Sequence, residues 1–235
     1  RTDTGTAHRI MDTVRGLDNY LASSSTDQEY STNYLDLNTS DNNITLHGST
    51  GTAVNAASKN FIVWGWKAGG SGASSGNANL IDTNATSSTP TISSIVSDAL
   101  GGSSNPGEDT ANHMYTPSAM SINRQSGFSI LTYQGHGTNT YRRIPHGLNK
   151  KPDFAIFKQL TDSGYSWRVY HKSIGATHSL QLNTTSAAAG YSYYWNNTEP
   201  TDKYFTVNNE GALQQDGKNF VAYIWTEIPG FSAFG

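Results

Sequence analysis

One apolar segment occurs twice in this chain. Lys59-Asn60-Phe61-Ile62-Val63-Trp64-Gly65-Trp66 returns as Lys218-Asn219-Phe220-Val221-Ala222-Tyr223-Ile224-Trp225, 159 residues later. Both copies are rich in Val, Ile, Phe, Tyr and Trp at successive positions. That pattern predicts a central strand covered on both faces rather than one with a wet side. The same offset, without a gap, places Thr2-Asp3 on Thr161-Asp162, Gly5 on Gly164, Arg9 on Arg168, Gly16 on Gly175, Leu21 on Leu180, Thr26 on Thr185, Tyr34 on Tyr193, and Asn38-Thr39 on Asn197-Thr198. Self-similarity at a fixed spacing implies a unit that folds the same way twice. At 159 residues the period is too long for a solenoid, so tandem domains are expected.

The second unit contains Gly127 to Leu160, for which nothing ahead of Arg1 can serve as a counterpart. The expectation is that the first unit enters half finished, the chain being the C-terminal piece of a longer polypeptide. The absence of an initiating Met agrees with this. The expected organisation is residues 1–69 as the C-terminal half of a first β-sandwich repeat, 70–126 as a Ser/Gly/Asn-rich linker or packing arm, and 127–235 as a complete second repeat with a C-terminal tail.

Composition places limits on function. With 11% aromatic and 14% charged residues and 23 glycines, and with its apolar residues in periodic runs, the chain reads as a loop-rich, all-β extracellular or virion protein rather than a disordered one. A net charge of −3, with no basic run longer than Lys150-Lys151 or Arg142-Arg143, gives no footprint for nucleic acid. There is no cysteine, so disulfides, Cys-ligated metals and thiol nucleophiles are excluded. No apolar run reaches membrane-spanning length.

Strands are predicted at 44–47, 61–66, 127–133, 153–158, 167–170, 179–183, 204–207 and 220–225. Residues 11–21 suit a strand pair or a short helical turn, and the last two strands are read as a hairpin around Asp216-Gly217. No helix is predicted with conviction. Many short, evenly spaced strands suggest a β-sandwich, with a jelly roll as the preferred topology. Residues 70–126 read as a linker, or as an arm whose scattered apolar residues pack on a neighbour. The tail phenylalanines Phe231 and Phe234 are expected to tuck against the sandwich or another subunit.

The ordered pattern Gly127-Phe128-Ser129-Ile130, Thr132-Tyr133, His146-Gly147-Leu148, Pro152-Asp153, Trp167-Arg168-Val169-Tyr170-His171, Leu182-Asn183-Thr184-Thr185, Trp195-Asn196, Phe205-Thr206-Val207, Phe220-Val221-Ala222-Tyr223 and Pro229-Gly230-Phe231 resembles the repeated domains of tail-associated proteins from marine bacteriophages, notably cyanophages. The likeness covers 1–67 and 127–235. It implies lectin-like, concanavalin A-type β-sandwiches in an oligomeric virion protein, with other tail proteins and a host-surface glycan as partners. A trimer is expected from fibre architecture. The resemblance brings no catalytic residues and no cofactor.

Among candidate sites, Tyr191-Ser192-Tyr193-Tyr194-Trp195-Asn196-Asn197 is the richest. Aromatic rings stack on the apolar face of a pyranose while amides and hydroxyls bond its hydroxyl groups, so Tyr191, Tyr193, Tyr194, Trp195 and Asn196 are the candidate carbohydrate-binding residues. If the segment is a strand, alternation would instead turn Tyr193 and Trp195 inward and leave Tyr191 and Tyr194 exposed. His136, His146, His171 and His178 are expected in turns, bonded to backbone rather than to metal. A calcium loop from Asp36, Asn38 and Asp41 competes with local Asx turns. The carboxylates Asp153, Asp162, Glu199, Asp202, Glu210 and Asp216 are scattered, and no hydrolase pair, nucleophile elbow or phosphate loop is evident. The expected function is adhesion and assembly on a phage tail or extracellular surface without catalysis. A bacterial surface adhesin and an envelope polysaccharide depolymerase are the rivals.

Overall fold

The structure, a computed structural model, describes residues 7–32, 35–38, 43–46, 54–69, 78–81, 90–101, 113–137 and 140–235, without the side chains of 35–38, 78–79 and 81. In chain order the elements begin with β1 (Arg9–Asp12), β2 (Gly16–Ala22) and β3 (Tyr30–Ser31), then β4 (Leu35–Asn38), β5 (Asn43–Leu46) and β6 (Ala78–Ile81). Next come α1 (Ile92–Ala99), β7 (Ala119–Asn123), β8 (Phe128–Gln134), β9 (Arg142–Pro145), β10 (Phe154–Gln159), β11 (Arg168–His171) and β12 (Leu180–Gln181). The chain finishes with α2 (Ser192–Trp195), β13 (Tyr204–Val207), α3 (Gly211–Gln214) and β14 (Asn219–Trp225). The described residues are mostly strand in antiparallel sheets with few helices, an all-β fold.

A seven-stranded sheet, in the order β12-β11-β10-β14-β8-β7-β6, carries the structure. All its ladders are antiparallel except β6 with β7. β14 lies at its centre, between β8 and β10, and only its first and last residues escape full burial. Because successive strand residues face opposite ways, Phe220, Ala222 and Ile224 meet Leu131, Tyr133, Ala155 and Phe157 on one face. Val221 and Tyr223 meet Phe128, Ile130 and Trp167 on the other. The first face is covered by the β9–β13 ribbon and by apolar residues of the three helices. The second receives Leu21, with Ile10 and Val14 packed beside it, from the N-terminal hairpin.

That hairpin repeats a piece of the second unit. β1 and β2 pair Arg9 with Ala22 and Ile10 with Leu21; β11 and β12 pair Arg168 with Gln181 and Val169 with Leu180. Each partner is displaced by the sequence offset, so the two ladders share one register. The connecting turns correspond as well. The Val14 amide donates to Asp12 Oδ1 at 3.0 Å, and at the matching positions the Ser173 amide donates to His171 Nδ1 at 3.1 Å. Gly16 (φ +93°) and Gly175 (φ +68°) both take the left-handed backbone that favours glycine.

Four sequence readings need correction. Residues 61–66 form no strand: Trp64 is 76% exposed and Trp66 60%, because no counterparts of β8 and β10 flank them among the described residues. β13 does not form a hairpin with β14 but pairs with β9, and α3 intervenes. A helix does form within 70–126. Thr91 caps α1, its hydroxyl accepting the Ser94 amide at 3.0 Å, and Ile92, Ile95 and Val96 enter the main core. The same stretch supplies β6 and β7 to the large sheet. At the C-terminus the tail divides. Phe234 stacks on Phe154 with centroids 5.6 Å apart, whereas Phe231 stays exposed.

Candidate functional site

Residues 192–195 form a helical turn rather than a strand, and relative to strand alternation this exchanges Tyr193 and Tyr194 while leaving Tyr191 outside and Trp195 inside. Tyr191 (58%) and Tyr193 (61%) are exposed, while Tyr194 is buried and Trp195 is wholly inaccessible. Trp195 is a core residue. Its indole N–H donates to the His178 carbonyl at 2.9 Å, and its ring packs against Phe157, Tyr170 and Phe205. It cannot stack on a sugar. Tyr194 is held under the Arg168 guanidinium, 4.6 Å from its centroid, and Arg168 is in turn paired with Glu210 at 2.9 Å. Asn196 serves the backbone: it ends α2 in left-handed conformation, and its side-chain oxygen accepts from Asn208 at 3.3 Å.

Of the five predicted residues, the structure therefore offers Tyr191 and Tyr193 to solvent and commits Tyr194, Trp195 and Asn196 to holding the turn. The Asn208 amide nitrogen also donates to the Ser192 carbonyl at 2.9 Å, and the Asn208 N–H to the Tyr194 carbonyl at 2.8 Å. Asn208 and Arg168 were not picked out from sequence. The signal for the turn was the pair Asn196-Asn197, both at positive φ, since Asn tolerates that region and commonly ends helices there. The result is two exposed phenol rings on a base fixed by buried aromatic packing. An exposed ring held rigid loses little freedom when a ligand stacks on it.

A shallow surface depression of about 520 Å³ lies elsewhere, lined by Ser24, Leu182, Asn183, Thr184 and Thr185. Ser24 and Asn183 are repeat counterparts, so matching turns of the two units meet there. None of the five predicted residues lines it.

Three of the four histidines expected in turns, His146, His171 and His178, have local partners. His146 is buried; its Nδ1 accepts the Leu148 amide at 3.2 Å, which leaves Nε2 to donate to the Thr201 carbonyl at 3.2 Å. Burial pushes its pKa down to about 4, although Thr201 and Asp202 act in the other direction. His171 Nδ1 accepts the Ser173 amide as described, and His178 Nδ1 lies 2.9 Å from Thr177 Oγ1. Among the described residues no group of three or more His, Asp or Glu is arranged to hold a metal ion. Asp41 and the side chains of Asp36 and Asn38 lie outside the described residues.

Four of the scattered carboxylates have structural partners. Asp153 accepts the Glu227 amide at 2.7 Å, Asp162 pairs with Lys218 at 2.9 Å, and Glu210 caps α3 through the Ala212 amide. Glu199 accepts from the Tyr170 hydroxyl and the Ala176 amide, each at 2.7 Å, and pairs with Lys151. Burial opposes its charge, but those donors win and hold it below the usual carboxylate range. Glu227 pairs with Lys172 and accepts the Phe234 amide at 2.7 Å.

The two units are joined by a buried polar cluster. Arg15 donates to Asp12 and Glu29, each at 2.6 Å, and to the Tyr223 hydroxyl at 3.2 Å, while that hydroxyl donates to Asp12 at 2.7 Å. Burial disfavours the guanidinium charge, yet Tyr223, Asp12 and Glu29 more than offset it and raise the Arg15 pKa. Nearby, the Trp167 indole donates to the Ala22 and Ser25 carbonyls at 3.2 Å. Lys158 reaches the Thr26 carbonyl at 3.4 Å, its pKa lowered to about 8 by burial although Asp27 opposes the shift.

With this geometry in hand, the family comparison is informative. The chain belongs to the family described as Domain of unknown function (DUF7483), whose model matches twice, over residues 1–113 and 104–235. No curated protein and no solved structure matches the chain. No helix among the described residues is long and apolar enough to cross a membrane.

Proposed function

We propose that this chain is a tail-fibre or tail-associated structural protein of a phage virion, built from tandem lectin-like sandwiches of jelly-roll, concanavalin A type. It contributes to recognition of a host-surface glycan by adhesion rather than catalysis. The reading is carried by Tyr191 and Tyr193, two exposed aromatic rings on a turn anchored by buried Tyr194 and Trp195. The structural engagement of Asp153, Asp162, Glu199 and Glu210 supports adhesion over hydrolysis. On an oligomer, several weak sites of this kind would multiply avidity without any one being tight.

A glycan array probed with the intact protein and with Tyr191→Ala and Tyr193→Ala tests this. Both side chains are exposed, so the variants should keep the wild-type circular dichroism. Binding by the intact protein that falls about five- to tenfold in each variant is expected, as stacking contacts of roughly 1–1.5 kcal/mol imply. Equal binding by all three proteins would remove Tyr191 and Tyr193 from the site, and no binding by any would leave a purely architectural role.

A further inference from the structure

The second unit shows what the repeated apolar segment does when its neighbours are present. β14 takes seven residues of β8 on one edge and six of β10 on the other. Its copy, Phe61 to Trp66, belongs to no ladder, and Ile62, Val63, Trp64 and Trp66 are exposed. A second edge in the first unit is open in the corresponding way. β11 lies between β12 and β10, whereas its counterpart β1 is the outer strand of the order β1-β2-β3. Among the described residues, both edges that bracket β10 in the second unit thus lack a strand in the first.

We propose that residues 61–66 are a docking strand whose occupant is a pair of strands of the β8 and β10 sequence type, one on each edge and each antiparallel to 61–66. The repeat sets the chemistry of that partner. It is a polypeptide carrying a Gly-Phe-Ser-Ile-Leu-Thr-Tyr-like and a Pro-Asp-Phe-Ala-Ile-Phe-Lys-like strand, like Gly127–Tyr133 and Pro152–Lys158 here. Its backbone hydrogen-bonds both edges of 61–66, as in strand addition. Its side chains cover Ile62 and Trp64 on the face matching Val221 and Tyr223, and Phe61 and Val63 on the face matching Phe220 and Ala222. The β10-like strand also pairs with β1, in the register that joins β10 to β11. Adjacent exposed apolar residues of this size are otherwise an aggregation hazard, which a paired strand removes.

Residues 127–159 of this chain, fused directly ahead of Arg1, test the proposal, because the repeat offset places Leu160 on Arg1 and so brings the added strands into register. Hydrogen exchange read by mass spectrometry should show amides 61–66 and 9–12 slowing by at least about tenfold relative to the unfused chain, with protection of β14 unchanged. The same fusion carrying Ile62→Asp and Trp64→Asp should lose the gain at 61–66. Unchanged exchange at 61–66 in a folded fusion overturns the proposal. So does concentration-dependent protection of 61–66 in the unfused chain, which would make a second copy the occupant. Should the fusion not fold, residues 127–159 on a soluble carrier, titrated against the intact chain, replace it. A blue shift of the emission of Trp64 and Trp66, lost in the double aspartate variant, is expected, and no shift at saturating carrier counts against the proposal.

Discussion

Phe61–Trp66 and Phe220–Trp225 have nearly the same apolar sequence and opposite fates. The second is the central strand of the sheet; the first is an exposed coil. Intrinsic preference is alike in the two, so the difference lies in the neighbours. β-propensity is in large part the fit of side chains onto strands already beside them, and only the later copy has those strands. The β1–β2 and β11–β12 hairpins teach the converse. Each carries both of its partners in one short stretch, and they fold in one register despite different side chains.

Matched substitutions in the two units can break this comparison. The largest contrast is expected between Phe220→Ala and Trp64→Ala. The first removes a fully buried ring stacked on Tyr133 and should cost roughly 3–5 kcal/mol, and the second should stay within about 0.5 kcal/mol, both read from urea unfolding. Equal costs would mean that 61–66 is already covered in solution. Next, Asp12→Ala should cost about 3 kcal/mol because it leaves the buried Arg15 charge with Glu29 alone as its carboxylate partner and the Tyr223 hydroxyl without its acceptor, whereas the corresponding His171→Ala should cost about 1 kcal/mol or less.

A pH series then isolates a single buried histidine of the second unit. His146 is held neutral with a pKa near 4, while in the unfolded chain it takes up a proton at its ordinary value of about 6.5. Its contribution is therefore complete above pH 6.5 and is lost as pH falls from 6.5 to 4. The loss is about 3 kcal/mol, and the step should vanish from the denaturation profile of His146→Gln. The smallest effect sharpens the hairpin match. Gly16→Ala and Gly175→Ala should each cost about 1 kcal/mol, as left-handed glycines do, with Gly175 the costlier because a Cβ there meets Glu199 at 3.0 Å.

The all-β class was legible in the sequence, and the exceptions have separate causes. β14 was readable because burial on both faces writes a continuous apolar run, whereas Met11–Leu21 suited a strand pair and a short helical turn alike and forms the strand pair. α1 was hidden although Thr91, Ile92, Ile95 and Val96 carry both a cap and helical spacing. The Ser- and Gly-rich surroundings outweighed a signal of only eight residues. At the candidate site, a period of two was the alternative reading of Tyr191 to Trp195, and one helical turn exchanges Tyr193 and Tyr194 relative to it. The β13–β9 pairing connects segments some 60 residues apart, and no local pattern announces it.

The buried cluster of Arg15, Asp12 and Glu29 also dictates an order of events during synthesis. Its fourth member, the Tyr223 hydroxyl, is 211 residues from Asp12. The β1–β2 hairpin leaving the ribosome must wait for β14, which lies that far along the chain, before its charges have a lid. β14 is the strand that both joins β8 to β10 and seats this hairpin, so assembly converges on it, and a nascent chain halted short of β14 holds two unfinished halves.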